Sequence, residues 1–174
     1  MSAIGSAIKK NDVLGLYALN KKMRSGKLTV VMVAITMLGS TSFAVSVSLY
    51  LLAFDRRIGR ELVFNLVFSQ AVIQLLKRIV NRPRPYKTIE WVVPIYPPKC
   101  KYSLPSGHSG SSLSIALVLA CFFPALKAAF FLLALCVGIS RIYLGCHYPT
   151  DVSIGFAISF ITFKILSRCI VFCS

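Results

Sequence analysis

The chain has 174 residues, 56% of them hydrophobic, and a mean hydropathy of +0.75, which is too apolar for a soluble domain of this length. Its apolar runs lack the alternation of a membrane β-barrel, so the fold class is an all-α, polytopic transmembrane helical bundle. Twenty Lys and Arg against five acids give a net charge of +15, but the basic residues gather at the ends of apolar runs, as they do at lipid headgroups, and no basic and aromatic stripe points to nucleic acid.

Residues 1–26 place Ile8, Leu16 and Leu19 among Lys9, Lys10, Lys21 and Lys22, which predicts an amphipathic helix lying on the membrane surface. The start does not read as a cleavable signal, so the spans themselves are expected to direct insertion. The first span is predicted over 28–54, with a tilt or break where "GSTS" interrupts it at 39–42. "DRRIGR" at 55–60 reads as a short basic loop, and the second span follows over 61–80. The connection at 81–106 holds Pro83, Pro85, Pro94, Pro97, Pro98 and Pro105, too many for a helix. A third span is predicted over 107–123, a fourth over 125–143 and a fifth over 149–172, with Lys164 and Arg168 snorkelling near its end.

The expected organisation is five clear spans plus an N-terminal amphipathic or sixth helix. Residues 1–27 form the interfacial segment and 28–174 one transmembrane catalytic domain. Five spans bring the 81–106 connection and the 143–149 turn to one face of the membrane, and 55–60, 124–127 and the C-terminus to the other. Cys121, Cys136, Cys169 and Cys173 lie in apolar runs, where cysteine behaves as a small hydrophobe. Cys100 and Cys146 share the polar face, where a bridge between them would need an oxidising compartment. No Cys-x-x-Cys pair suggests zinc.

Three clusters meet on that face: "KRIVNRPRP" at 77–85, "PSGH" at 105–108 and "SRIYLGCHYPTD" at 140–151. Lys77, Arg84 and Arg141 put cations at a membrane edge, and beyond Glu90 the chain has no acid but Asp151 to neutralise them. Such cations suit a phosphate, whose oxygens match the guanidinium fork. Arg78 and Arg82 read more simply as flanking charge. PSGH opens a helix, whose free N–H groups and positive dipole end bind anions. There Ser106 can cap or donate a hydrogen bond, Gly107 admits an oxyanion, and His108 is placed as a general acid. His147 and Asp151 are four residues apart, one helical turn, so the carboxylate can hold Nδ1–H and leave Nε2 free as nucleophile. Two histidines and one acid among cations make a thin metal-ligand set, so no metal and no cofactor is expected.

Lys-x6-Arg-Pro, Pro-Ser-Gly-His and Ser-Arg-x5-His-x3-Asp, in this order with spans between them, resemble the three signature motifs of the type 2 phosphatidic acid phosphatase (PAP2) superfamily. The resemblance covers roughly residues 28–172. It implies that His147 is the nucleophile, Asp151 orients it, and His108 is the acid. Lys77, Arg84, Ser106, Gly107 and Arg141 would then bind phosphate, without a metal. It further implies a membrane lipid phosphate or pyrophosphate as substrate, with undecaprenyl pyrophosphate favoured over phosphatidylglycerophosphate and phosphatidate. A lipid phosphotransferase using the same site is the alternative. The bilayer is the only other partner implied. Bacterial members place the site outside the cytoplasm, so a multi-pass cell-membrane protein with an extracytoplasmic active site is expected. Members usually have a core of six helices, where this chain shows five clear spans.

Overall fold

The computed structural model describes residues 3–96 and 100–169. Helices α1 (Ala3–Leu16) and α2 (Gly26–Met37) are joined by a wider π-type turn over Tyr17–Lys22. They are followed by α3 (Thr41–Phe54), α4 (Arg56–Val80), the single turn α5 (Pro85–Thr88), α6 (Gly107–Phe122), α7 (Lys127–Tyr143) and α8 (Pro149–Cys169). Short polar side chains start several of them: Ser25, Ser40 and Ser106 each accept a first-turn N–H, and Asp55 accepts two.

The expected first span is two helices, α2 and α3, bent by 47° at the interruption. The break falls at Gly39, because the backbone of α6 packs there: a Cβ on Gly39 would lie 2.7 Å from the His108 carbonyl oxygen. The expected 55–60 loop is instead the first turn of α4. Asp55 caps it, and Arg57 pairs with Glu61 one turn on, so the basic run is helical rather than irregular. The proline-rich connection also contains one helical turn, α5, with Pro85 at its first position, where a missing N–H costs nothing. Of its prolines, Pro97 and Pro98 lie outside the described residues, as do positions 170–172 of the expected fifth span.

Among the described residues three helical stretches are long and apolar enough to cross a membrane: Arg56–Val80, Pro124–Tyr143 and Pro149–Arg168. The bent pair α2 and α3 makes a fourth if it crosses as one. Helix α6, with 16 residues, is shorter and sits at the centre, packed on α4, α7 and α8. The bundle is apolar outside and polar within. Leu49, Phe64, Phe68, Leu132 and Ile161 are exposed, whereas Ser69, Ser114, Ser140 and Ser159 are buried between helices. On α8, Gly155 lets the start of α6 approach, since a Cβ there would lie 2.5 Å from the Ser106 carbonyl oxygen. Cys100 and Cys146 are free thiols, and the buried Cys146 donates to the Tyr96 carbonyl at 3.2 Å.

Candidate active site

A cavity of about 220 Å³ opens where α4 ends, α6 begins and α7 turns into α8. Six of the eight residues singled out from sequence line it: Lys77, Arg84, Gly107, His108, Arg141 and His147. Ser106 and Asp151 stand behind its wall. Ser106 caps α6, its Oγ accepting from the Ser109 N–H at 3.4 Å and its own N–H donating to the Asp151 carbonyl at 2.9 Å. The hydroxyl expected at the phosphate thus sits at the root of the helix whose first residues, Gly107 and His108, line the cavity.

The cations are held by protein oxygens, which leaves their charge unspent. Lys77, in the last turn of α4, donates to the Tyr102 carbonyl at 3.4 Å. Arg84 is 1% exposed and donates to the carbonyls of Cys100 and Cys146, both at 2.8 Å. Its Nη1 also lies 3.2 Å from His147 Nε2. Arg141 is equally buried; Nη1 donates to Thr36 Oγ1 of α2 at 2.8 Å, while Nε has no hydrogen-bond partner among the described residues. Buried guanidinium groups without a carboxylate are costly, and an anion in the cavity would relieve that cost.

Asp151 does not neutralise them. Its Oδ1 accepts from Arg82 Nη1 at 2.8 Å and its Oδ2 from the Tyr148 N–H at 2.8 Å. The carboxylate faces His147 Nδ1 at 3.6 Å, too far for a hydrogen bond, and the buried Nδ1 has no well-formed hydrogen bond among the described residues. The two side chains are adjacent, as their spacing predicts, but the bond between them is not drawn tight. Burial pushes the His147 pKa well below the ordinary imidazole value, and Arg141, Arg84 and Lys77 push in the same direction. His147 is therefore neutral, with a lone pair available at a ring nitrogen. At Cys100 burial raises the thiol pKa, but hydrogen bonding at Tyr102 and the charges of Lys77 and Arg84 outweigh it, and the net shift is downward.

Several residues around the site carry no sequence signal: Thr36, Gln70 and Gln74 reach it only through packing. Gly39 and Thr41, from the interruption at 39–42, and Cys100, from the polar face, join them there. Gln70 Nε2 ties α4 to the α6 start, donating to the Gly107 carbonyl at 3.1 Å and to Ser111 Oγ at 3.0 Å. Arg82, read as flanking charge, is bound to two buried carboxylates, Asp12 and Asp151. Counting acids against the unusual cations would have found Asp12, the one acid of α1.

The PAP2 superfamily model matches residues 58–173. A lipid A 1-phosphatase of Rhizobium johnstonii is 34% identical over 120 residues, 64% of this chain and 49% of the relative; the chain thus spans about half of that protein. An undecaprenyl-diphosphatase of Sulfolobus acidocaldarius is 28% identical over 159 residues, 87% of this chain and 77% of the relative. The crystal structure of a transmembrane PAP2-type phosphatidylglycerolphosphate phosphatase from Bacillus subtilis superposes with a TM-score of 0.74 at 26% identity. That match covers 97% of this chain and 86% of the other.

Proposed function

The chain belongs to the PAP2 superfamily, and on that footing we propose that it is a membrane lipid phosphatase working through a phosphohistidine on His147. One observation carries the reading: three cations without carboxylate partners among the described residues share a cavity with two histidines, and His147 is held neutral. Lys77, Arg84, Arg141 and the first amides of α6, from Gly107 on, hold the phosphoryl oxygens where charge builds in transfer. His147 Nε2 forms a bond to phosphorus as the bond to the leaving oxygen breaks. His108 gives that oxygen its proton, and the bound dianion favours the protonated imidazole beforehand. Water, giving a proton back to His108, then attacks phosphorus. The P–N bond breaks and inorganic phosphate leaves. Asp151 keeps the His147 ring in place, and Ser106 caps the helix that supplies the amides.

Among lipids we favour undecaprenyl pyrophosphate. The Sulfolobus relative spans most of this chain, and three unpaired cations match the charge of a diphosphate. The likeness to the Bacillus structure supports phosphatidylglycerophosphate as the second candidate. In the proposed orientation the site faces away from the cytoplasm, as the resemblance to bacterial members implies.

The test is phosphate release by the purified protein from undecaprenyl pyrophosphate, phosphatidylglycerophosphate and phosphatidate, each with EDTA present. Release is expected to persist in EDTA, to be fastest with undecaprenyl pyrophosphate, and to be lost in His147→Ala. Activity abolished by EDTA contradicts the metal-free mechanism, and unchanged turnover in His147→Ala removes the nucleophile assignment.

A further inference from the structure

Helix α1 packs behind the site through Leu16, which lies in one cluster with Ile142, Tyr148 and Val152, and it brings one acid there. Asp12 is 1% exposed. Its Oδ1 accepts from the Thr150 N–H at 2.9 Å, and its Oδ2 accepts from Thr150 Oγ1 and from Arg82 Nη2, both at 2.7 Å. The other Arg82 nitrogen, Nη1, donates to Asp151 Oδ1 and to Thr150 Oγ1, both at 2.8 Å. The guanidinium also lies 3.9 Å from the centre of the Tyr148 ring. One planar fork thus bridges two buried carboxylates, one on α1 and one beside His147, a task its geometry suits and a lysine's does not.

We propose that Asp12 is a positioning residue for the reaction, holding Arg82 so that Arg82 holds the Asp151 carboxylate against His147. The α1 segment, which precedes the residues matched by the family model, thereby completes the catalytic site. The proposal rests on reading His147 as the nucleophile and Asp151 as its orienting carboxylate. Its physical basis is the two-point hold on the guanidinium. With both carboxylates in place each terminal nitrogen of the half-buried Arg82 is anchored, and its pKa is raised: burial lowers it, but Asp151 and Asp12 more than compensate. Without Asp12 the cation keeps Asp151, Thr150 Oγ1 and the Tyr148 ring, but Nη2 loses its carboxylate. The guanidinium is then held through Nη1 only and can pivot there, shifting the Asp151 carboxylate with it. The phosphate cradle of Lys77, Arg84 and Arg141 touches neither Asp12 nor Arg82, so binding should be spared.

The experiment uses full-length wild type, Asp12→Asn, Asp12→Ala, Arg82→Gln, the Asp12→Asn/Arg82→Gln double variant, and exposed Lys22→Ala as a control. Phosphate release is measured from undecaprenyl pyrophosphate and from phosphatidate in detergent micelles. We expect Asp12→Asn to lower kcat about 10- to 100-fold with KM within about twofold, because a shifted reacting group costs rate rather than affinity. In the Arg82→Gln background the same change should cost nothing more, because both act along one chain of contacts. Lys22→Ala should match wild type. A kcat within about twofold of wild type in Asp12→Asn, or losses that simply add, overturns the proposal. Hydrogen exchange at the Thr150 amide, expected to be faster in Asp12→Ala, reports the contact without turnover, and unchanged exchange also overturns it. If wild type releases phosphate from neither lipid, the proposed function is what fails, and the exchange result alone decides whether Asp12 holds this end of α8.

Discussion

At the scale of single residues, the two histidines are proposed to do different work, and each role can be measured apart. His147 is 2% exposed among three cations, so the folded protein resists protonating it. Its folded pKa lies below the unfolded value of 6.5, and the sign follows. As pH falls through 6.5 the unfolded chain takes up a proton that the folded chain refuses, so this residue withdraws stability with falling pH. Thermal melts at pH 7.5 and 5.5 should therefore show a larger drop for wild type than for His147→Asn, which has nothing to titrate there. Equal drops would mean that His147 is not held neutral. His108 lines the same cavity and is assigned the leaving-group proton. Its removal should matter in proportion to how much the leaving group needs that proton. His108→Ala is expected to lose about 10²- to 10⁴-fold in kcat with phosphatidate, whose glyceride oxygen leaves poorly as an alkoxide. With p-nitrophenyl phosphate, which leaves as a stable anion, the loss should be under about tenfold. The same loss on both substrates would assign His108 to binding instead.

At the scale of elements, the site depends on how closely α8 lets α6 begin. Gly155 leaves room for the Ser106 carbonyl, and the Ser106 N–H in turn donates to the Asp151 carbonyl at 2.9 Å. A side chain at Gly155 would push the start of α6 away from α8, and with it the Gly107 amide and His108. Gly155→Leu should destabilise the fold by about 1–3 kcal/mol or more and reduce kcat, because the clash is with backbone that cannot rotate away. Gly26→Ala, at a position with nothing within 4 Å, should do neither. A melting temperature and kcat unchanged in Gly155→Leu would show that the two helices can slide apart without harm. These junctions also show which parts of the site were legible in the sequence. Lys77, His108 and Arg141 stand at helix ends where apolar runs meet polar residues, so their order and shared face follow from counting spans. Asp12, Thr36, Gly39 and Gln70 stand in or beside helices whose local pattern is that of a membrane or interfacial segment. What brings them to the site is the fold of α1, the broken α2 and α3 pair and α4 around α6, which no short-range period encodes. The run at 55–60 misled for the opposite reason: a cluster of arginines looks like a loop until its capping aspartate is seen to start a helix.

At the scale of the whole molecule, the way α1 docks bears directly on orientation. Asp12 binds Thr150 and Arg82, so α1 lies on the same face as the active site, and Lys9, Lys10, Lys21, Lys22, Arg24 and Lys27 lie there with it. The opposite face carries Arg56, Arg57, Arg60, Lys127, Lys164 and Arg168. Arg78, Lys87 and Lys101 then tip the balance of loop charge toward the site face, so the positive-inside rule pulls against a site outside the cytoplasm. The proposed orientation requires instead that α1 behave as an interfacial helix, its lysines on lipid headgroups and its buried acid locked into the bundle, rather than as a topogenic loop. Cys100 can decide between the two. It is exposed, lines the candidate-site cavity and has a lowered thiol pKa, so it should react readily with a maleimide. In a variant that keeps Cys100 as its sole cysteine, a membrane-impermeant maleimide is expected to label intact spheroplasts, and inorganic phosphate at high concentration should slow that labelling by filling the cavity. Labelling only after the membrane is opened would place the site in the cytoplasm, where the charge count puts it. Labelling from outside that phosphate does not slow would keep the orientation but move the anion away from Cys100.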